Sequence, residues 1–260
     1  MNDEALIIDC DEIVPEKNGE GKLYLGQLWH KDMYPDDYLL CKIAFCLARK
    51  CNELHLKGLM IANEWNEGNI LISTTDCSVS IKVVHAMNSS GISYQGTDSY
   101  LAPECYINRK YDLYSDYYGL AVFLYRMFIG GFPLDGKASE EYCKKNNLSV
   151  SLAAPYIYGN NALFVFDPNN QSNSIRNHVK EFMPRMNELQ TQRWDAIDDR
   201  IKKCFIQTFS DGLQGNSKRK RTTDKEWMQV FKVAAKSGLK KCPICQRRLF
   251  VGRSVCPWCK

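Results

Sequence analysis

No stretch of this sequence is both apolar enough and long enough to cross a bilayer. Its greasiest run, Tyr117–Ile129, falls short of the ~20 residues a spanning helix needs and carries Arg126 inside it. An excess of one charge sign is also lacking. The formal net charge is +4 with 25% charged residues, so no overall field favours nucleic acid or an acidic membrane. The amino terminus, Met1-Asn2-Asp3-Glu4, is acidic and followed by only a short apolar run, which fits neither a signal peptide nor an Arg-rich transit peptide. Closely paired cysteines are missing before the last few residues: Cys10, Cys41, Cys46, Cys51, Cys77, Cys105, Cys143 and Cys204 stand singly, as buried thiols do in a reducing cell. The expected compartment is the cytoplasm.

What is present is organised around Ser115–Leu134, SDYYGLAVFLYRMFIGGFPL. From Tyr117 to Ile129 the run is apolar or aromatic on every side, so a helix made from it has no face that prefers water and belongs in a core. Asp116 is placed to cap its first turn. At 260 residues the chain has room for one large domain and a small appendage.

Residues 5–9, Ala-Leu-Ile-Ile-Asp, read as a short strand, and Glu16–Lys22 as a polar loop. Tyr38–Leu54 repeats Leu39, Leu40, Ile43, Ala44, Cys46 and Leu47 at helical spacing and ends near His55. The stretch Asn63-Glu64-Trp65-Asn66-Glu67-Gly68-Asn69 has turn chemistry, and Val79–Val84 alternates as a strand able to pair with Ile70–Ser73. Further on, residues 137–200 suggest an insertion or a mobile loop, with a strand-like Ala162–Phe166 inside it. Trp194–Phe209 resumes helical spacing, and Thr223–Ala235 reads as a helix capped by Thr222 or Thr223. The basic run Ser217–Arg221 is expected to be a solvated loop rather than a nucleic-acid contact.

The sharpest chemical signal is Cys242-Pro-Ile-Cys245 followed by Cys256-Pro-Trp-Cys259. Two such knuckles place four thiolates around one tetrahedral ion, with Zn–S near ~2.3 Å, and leave no position for water. A structural zinc is therefore expected, and a segment this short draws much of its folding free energy from the metal. A pair of disulfides or a redox Cys-x-x-Cys are the competing readings; the first needs an oxidising compartment, and the second needs only one pair in a thioredoxin-like context.

Taken in order, Leu54-His55-Leu56-Lys57-Gly58, NEWNEGN, His85-Ala86-Met87, Gly96–Glu104 ending in Ala102-Pro103-Glu104, Asp116 with its buried helix, and RTTDKEW resemble the C-terminal lobe of the protein-kinase fold across residues 5–235. With the terminal CPWC ribbon the pattern is similar to a group of bacterial kinase-like proteins. The resemblance implies a mainly α (α+β) kinase-like C-lobe over residues 1–236, built around a buried central helix, and a zinc ribbon over 237–260. It puts NEWNEGN in the catalytic loop, His85-Ala86-Met87 at the metal-binding Asp-Phe-Gly position, and a partly buried ion pair between Glu104 and Arg221.

Phosphoryl transfer by this fold needs a Gly-rich loop, a strand Lys with its helix Glu, a catalytic-loop Asp, and an Asn and Asp for metal. No Gly-rich loop followed by Val-Ala-x-Lys precedes residue 20, so the N-lobe is expected to be essentially missing. If Asn69 is the metal-binding Asn, Glu64 replaces the catalytic Asp and reaches one methylene further, a misplacement of about 1 Å that costs ~100-fold in rate. His85 replaces a hard oxygen ligand by an imidazole poorly matched to magnesium. The residues themselves also permit Glu64 to be an exposed carboxylate, Asn69 a loop-stabilising side chain, and His85 a packed strand-end residue. The expectation is a pseudokinase-like domain, impaired in binding ATP and magnesium, that binds or scaffolds a protein partner. The alternatives are a Ser/Thr kinase fragment completed by an N-lobe supplied elsewhere, and a nucleic-acid-associated zinc-ribbon protein.

Overall fold

The structure is a computed structural model that describes residues 22–24, 35–73, 79–81, 85–86, 98–108, 111–179, 185–213 and 215–259. The strand expected at residues 5–9 lies outside them. Most of the described chain is helical, with a few short strands.

Strand β1 (Lys22–Tyr24) begins at a residue assigned from sequence to a loop. Helix α1 (Asp37–Leu56) starts where the Asp36 carboxylate accepts from the Leu39 N–H at 2.9 Å, and stops beside Gly58, whose φ of +71° is left-handed. Its Leu40, Ile43, Ala44, Leu47, Cys51 and Leu54 are buried at helical spacing, as the pattern requires. The chain then makes β2 (Leu59–Met60), a tight turn at Ala62–Glu64, and the strands β3 (Ile70–Ser73), β4 (Val79–Ile81) and β5 (His85–Ala86). The expected hairpin is there: β3 pairs antiparallel with β4, opposing Ile70 to Ile81, and its other edge carries β1. Strand β5 pairs instead with β2.

A short helix α2 (Pro103–Asn108) precedes α3 (Leu113–Ile129), the rod at the centre of the molecule. From Tyr118 to Ile129 every residue of α3 except Arg126 is buried, and each large apolar side chain removed from water contributes about 1.5–3 kcal/mol. The cap differs from the sequence expectation. Asp112, not Asp116, is the N-cap: its carboxylate accepts from the N–H groups of Tyr114 and Ser115, and Ser115 Oγ returns a bond to the Asp112 N–H. Asp116 lies a turn later and points into the core, because four donors around residues 55–65 converge on it. The helix ends at Gly130, whose φ of +93° only glycine adopts without strain. Gly119 answers a different need, since a Cβ there would meet the Trp65 indole at 2.3 Å.

Residues 137–200 are not a loose insertion. They contain α4 (Lys137–Asn146), α5 (Val150–Ala154), a wide helical turn at Pro155–Asn160 and α6 (Met186–Ala196). The strand expected at Ala162–Phe166 has no partner strand among the described residues. The segment instead runs into the core, where Phe164 meets Tyr125 and Phe209, and Phe166 stacks on Trp194 at 4.6 Å. Its backbone polar groups still need partners: Val165 N–H donates to Pro133 O at 2.9 Å, and the buried Asn173 amide donates to Leu134 O and Leu163 O.

The helix expected over Trp194–Phe209 is broken at Ile197, after which the Asp198 carboxylate starts α7 (Asp199–Ile206) by accepting from the Arg200 N–H. A wide turn, Gln207–Asp211, follows. Helix α8 (Asp224–Ser237) has the anticipated Thr223 cap, reinforced by Glu226 in a capping box. Strands β6 (Leu239–Lys241) and β7 (Arg248–Phe250) close the chain as a hairpin. Among the described residues no helix is long and apolar enough to cross a membrane.

The Glu104–Arg221 pair forms as expected and joins α2 to the stretch before α8. Arg221 is 1% exposed; its two terminal nitrogens meet the Glu104 carboxylate at 2.7 and 2.8 Å. The remaining donors reach Gly212 O, Leu213 O and Tyr114 O, so the buried guanidinium is fully solvated by protein. Ser115 Oγ donates to Glu104 at 2.8 Å, tying the pair to the cap of α3. Arg221 foremost, with Ser115 helping, holds the Glu104 carboxyl below its ordinary range against the opposing effect of burial. Glu104→Ala is expected to cost about 3–5 kcal/mol, because it leaves a buried cation unpaired, whereas Glu141→Ala on the exposed face of α4 costs a few tenths. Chemical denaturation of the two variants compares them, and equal midpoints would remove this pair from the stability of the fold.

Candidate functional site

Among the described residues, two places bring together the side chains singled out from the sequence: the loop between α1 and β3, and the cysteines at the end of the chain. In the loop, the Ala62–Glu64 turn is held from behind by Asp116. The Asp116 carboxylate, buried completely, accepts from Ile61 N–H at 3.0 Å, Ala62 N–H at 2.9 Å and Trp65 Nε1–H at 2.6 Å. Tyr111 O–H donates to the Ala62 carbonyl at 2.7 Å. Ala62 has φ of +56°, a left-handed conformation that costs a non-glycine residue about 1–2 kcal/mol. Both of its backbone polar groups are thus gripped by side chains that hold it there.

The strained turn delivers Glu64 and, six positions after Asn63, Asn69. Asn69 Nδ2 donates to the Glu64 backbone carbonyl at 3.0 Å and to its carboxylate at 2.9 Å. Asn66 closes the same turn by donating to Glu64 O and accepting from the Gly68 N–H. Glu67 pairs with Arg126 of α3, which also lies 4.0 Å over the Phe132 ring. The charge inside the greasy run therefore faces the loop. His85 is placed in β5 opposite Met60, four residues before Glu64, so the strand bearing it adjoins the start of the loop. Met87 lies outside the described residues.

Sequence reasoning missed the group behind this loop. His55, 6% exposed in its side chain, sits between two carboxylates, with Nε2 2.8 Å from Asp116 and Nδ1 2.7 Å from Asp224. Burial alone would push its pKa down, but the hydrogen bonds and charges of Asp116 and Asp224 outweigh that and raise it from 6.5 to about 9. The imidazolium bridges the carboxyl end of α1 to the amino end of α8 and to the base of α3. A polar residue closing a long amphipathic helix, and an Asp one position ahead of an all-apolar helix, were the available signals.

At the other end of the chain, the ligand atoms of Cys242, Cys245, Cys256 and Cys259 lie within 4.8 Å of one another, so the four can hold a metal ion. Sγ–Sγ separations of 3.6 Å for Cys242–Cys259 and Cys245–Cys256 match the edge of a tetrahedron with ~2.3 Å bonds, about 3.8 Å, and far exceed a disulfide at about 2.05 Å. Cys242 N–H donates to Arg247 O, and Gln246, in the left-handed region at φ +61°, donates its N–H to Cys242 O; together they shape the first knuckle. Backbone N–H groups of Cys245 and Ile244 pull the Cys242 thiol down, while hydrogen bonding within the cluster pushes Cys259 up. The single cysteines contrast with these: burial raises Cys41 and Cys51, and raises Cys105 and Cys204 to about 12.

The cluster is anchored to the rest of the molecule by a second group that sequence reasoning missed. Asp37, fully buried, accepts from the Phe250 N–H at 2.8 Å and from Arg253 at 2.7 and 2.9 Å; Asp36 accepts from the Arg248 N–H. Phe250 reaches Phe128 of α3. No protein-family model matches the chain, and no curated protein matches it.

Because His55 is held charged in the folded protein, its contribution is complete below pH 6.5 and is lost as pH rises through about 9. Unfolding free energy measured from pH 6.5 to 10 should fall by on the order of 3 kcal/mol more for the natural protein than for His55→Gln. Identical slopes would mean that the imidazole is not charged between its carboxylates.

Proposed function

We propose that the chain is a kinase-like lobe without phosphoryl-transfer activity, used for binding or scaffolding a protein partner, with the terminal cysteines holding one structural zinc. The observation that carries the first part is the Glu64–Asn69 pair. The Asn69 amide, at the position of the metal ligand, donates both to the Glu64 backbone carbonyl and to the carboxylate at the position of the catalytic base, so it serves to hold the turn. The strand with His85 beside this loop, the buried rod of α3 and the Glu104–Arg221 pair support the kinase-like reading together, since each was anticipated from the ordered motifs. With an imidazole where a carboxylate would bind magnesium, the loop offers a poor seat for a metal nucleotide.

Isothermal titration of the full chain with magnesium-ATP is expected to give no heat of binding in the micromolar range. A micromolar affinity would overturn the scaffold reading and favour a kinase fragment that works with an N-lobe supplied elsewhere.

Zinc is the ion that the donor set suits. Four thiolates at tetrahedral separations select a soft or borderline ion, and a closed site without an open position is structural. Cys245 and Cys259 hold it together with Cys242 and Cys256; its chemistry is to cross-link the two knuckles. Elemental analysis should find one zinc per chain, and Cys245→Ser with Cys256→Ser should abolish it and open the segment after Gly238 to proteolysis, leaving the helical circular dichroism in place. Zinc retained by that variant would reject the four-cysteine site.

A further inference from the structure

The net charge of +4 conceals a strong division along the chain. Residues 201–260 carry fifteen Lys and Arg against three Asp and Glu, +12 formally, while residues 1–200 carry nineteen against twenty-seven, or −8. The fold determines which of those cations reach water. Two of the run Ser217–Arg221 are withdrawn: Arg221 is buried on Glu104, and Lys218 pairs with Asp112. In their place α8 presents a row. Lys225, Gln229, Lys232 and Lys236 follow the i, i+4, i+7, i+11 spacing of one helix stripe, and all four are exposed. The opposite side of α8, with Trp227, Phe231 and Ala234, is buried in the core.

The row continues beyond the helix. Gly238 leads into β6, where Lys240 and Lys241 are exposed, and Lys241 stands directly opposite Arg248 of β7. Like charges opposed across a hairpin are unfavourable for folding. Arg247, also exposed, lies 5.0 Å over the Trp258 ring. Among the described residues no carboxylate forms an ion pair with Lys225, Lys232, Lys236, Lys241 or Arg247, and the three acids of this region are engaged or apart: Asp224 on His55, Glu226 in the capping box, Asp211 in the turn before Gly212. Those five cations therefore lie along α8 and the hairpin without a carboxylate partner among the described residues.

We propose that the outer stripe of α8 and the adjoining β6–β7 hairpin bind the phosphate backbone of a nucleic-acid strand. The row of ammonium groups repeats every ~6–10 Å along the helix axis, a spacing suited to successive phosphates of a polyanion. A lipid surface is disfavoured by α8 itself, whose apolar side is used up in the core and has nothing to insert. Ile244, Val251 and Val255 are exposed on the terminal segment, so anionic vesicles form the second arm of the test. The inference stands on charge and placement and is independent of the kinase-like reading.

The test is fluorescence anisotropy of the zinc-loaded full chain with labelled single-stranded DNA and RNA of about 20 nucleotides, against vesicles containing phosphatidylserine, over a salt series. Binding to the oligonucleotides should weaken linearly in log salt. The triple variant Lys225→Gln, Lys232→Gln, Lys236→Gln should lower affinity at least about tenfold and reduce the slope by about 2, the share of three phosphate contacts. Replacing the same three by Arg should retain binding. The matched variant Lys137→Gln, Lys144→Gln, Lys145→Gln on α4 should change affinity less than about twofold. Thermal unfolding of all three variants, expected unchanged for these exposed positions, separates loss of contact from loss of fold. No oligonucleotide binding at about 50 mM salt, equal losses in the α8 and α4 variants, or tighter binding to vesicles than to oligonucleotides would each overturn the proposal.

Discussion

A single buried carboxylate sets the arrangement of this molecule. Asp116 has no access to water, so its charge must be met inside the protein, and the donors that meet it come from the α1 terminus, the turn after β2 and an indole. Satisfying it forces Ala62 into a left-handed conformation, seats Trp65 against the bare backbone of Gly119, and aims the 64–69 loop outward. The rod supplies the burial; the carboxylate supplies the direction.

Helix α1 passes this constraint along its length. At its carboxyl end His55 links Asp116 to Asp224 at the start of α8. At its amino end Asp37 receives Arg253 and the Phe250 N–H from the chain that follows α8. Helix α1 is thus joined by buried ionic contacts to the start of α8 at one end and to the segment after the β6–β7 hairpin at the other, which fixes the hairpin against the core. The cysteine segment is therefore seated on the core through Phe250 and Asp37 as well as drawn together at its four thiols. Sequence spacing alone had suggested an appendage stabilised by metal.

Much of this was legible in the residues. Apolar residues at helical spacing announced α1, an unbroken apolar run announced α3 as a core helix, and a threonine cap marked the start of α8. The two Cys-x-x-Cys knuckles announced their cluster, because tetrahedral coordination fixes ligand spacing. The Glu104–Arg221 pair was foreseen only through resemblance, since no local rule connects residues so far apart. Other features left no local mark. Ala162–Phe166 has strand composition, yet it fills a gap beside Trp194 and Phe209 where no strand among the described residues pairs with it. Asp116 satisfies the rule for a cap, but Asp112 with Ser115 satisfies it better, which frees Asp116 for the core. The row of lysines on α8 was hidden by a chain-wide net charge that averages two opposite regions.

By itself the sequence determined the helical class, the buried rod and the four-thiolate cluster, since each depends on interactions within a short span: apolar periodicity, capping and ligand spacing. Only the tertiary structure decided which charges are spent inside and which face water. His55 between two acids, Asp37 beneath the hairpin, Arg221 drawn away from its basic neighbours and the Glu64–Asn69 pair all follow from desolvation, which penalises any charge that folding leaves without a partner. That penalty is settled by neighbours distant in the chain, and no reading of adjacent residues contains it.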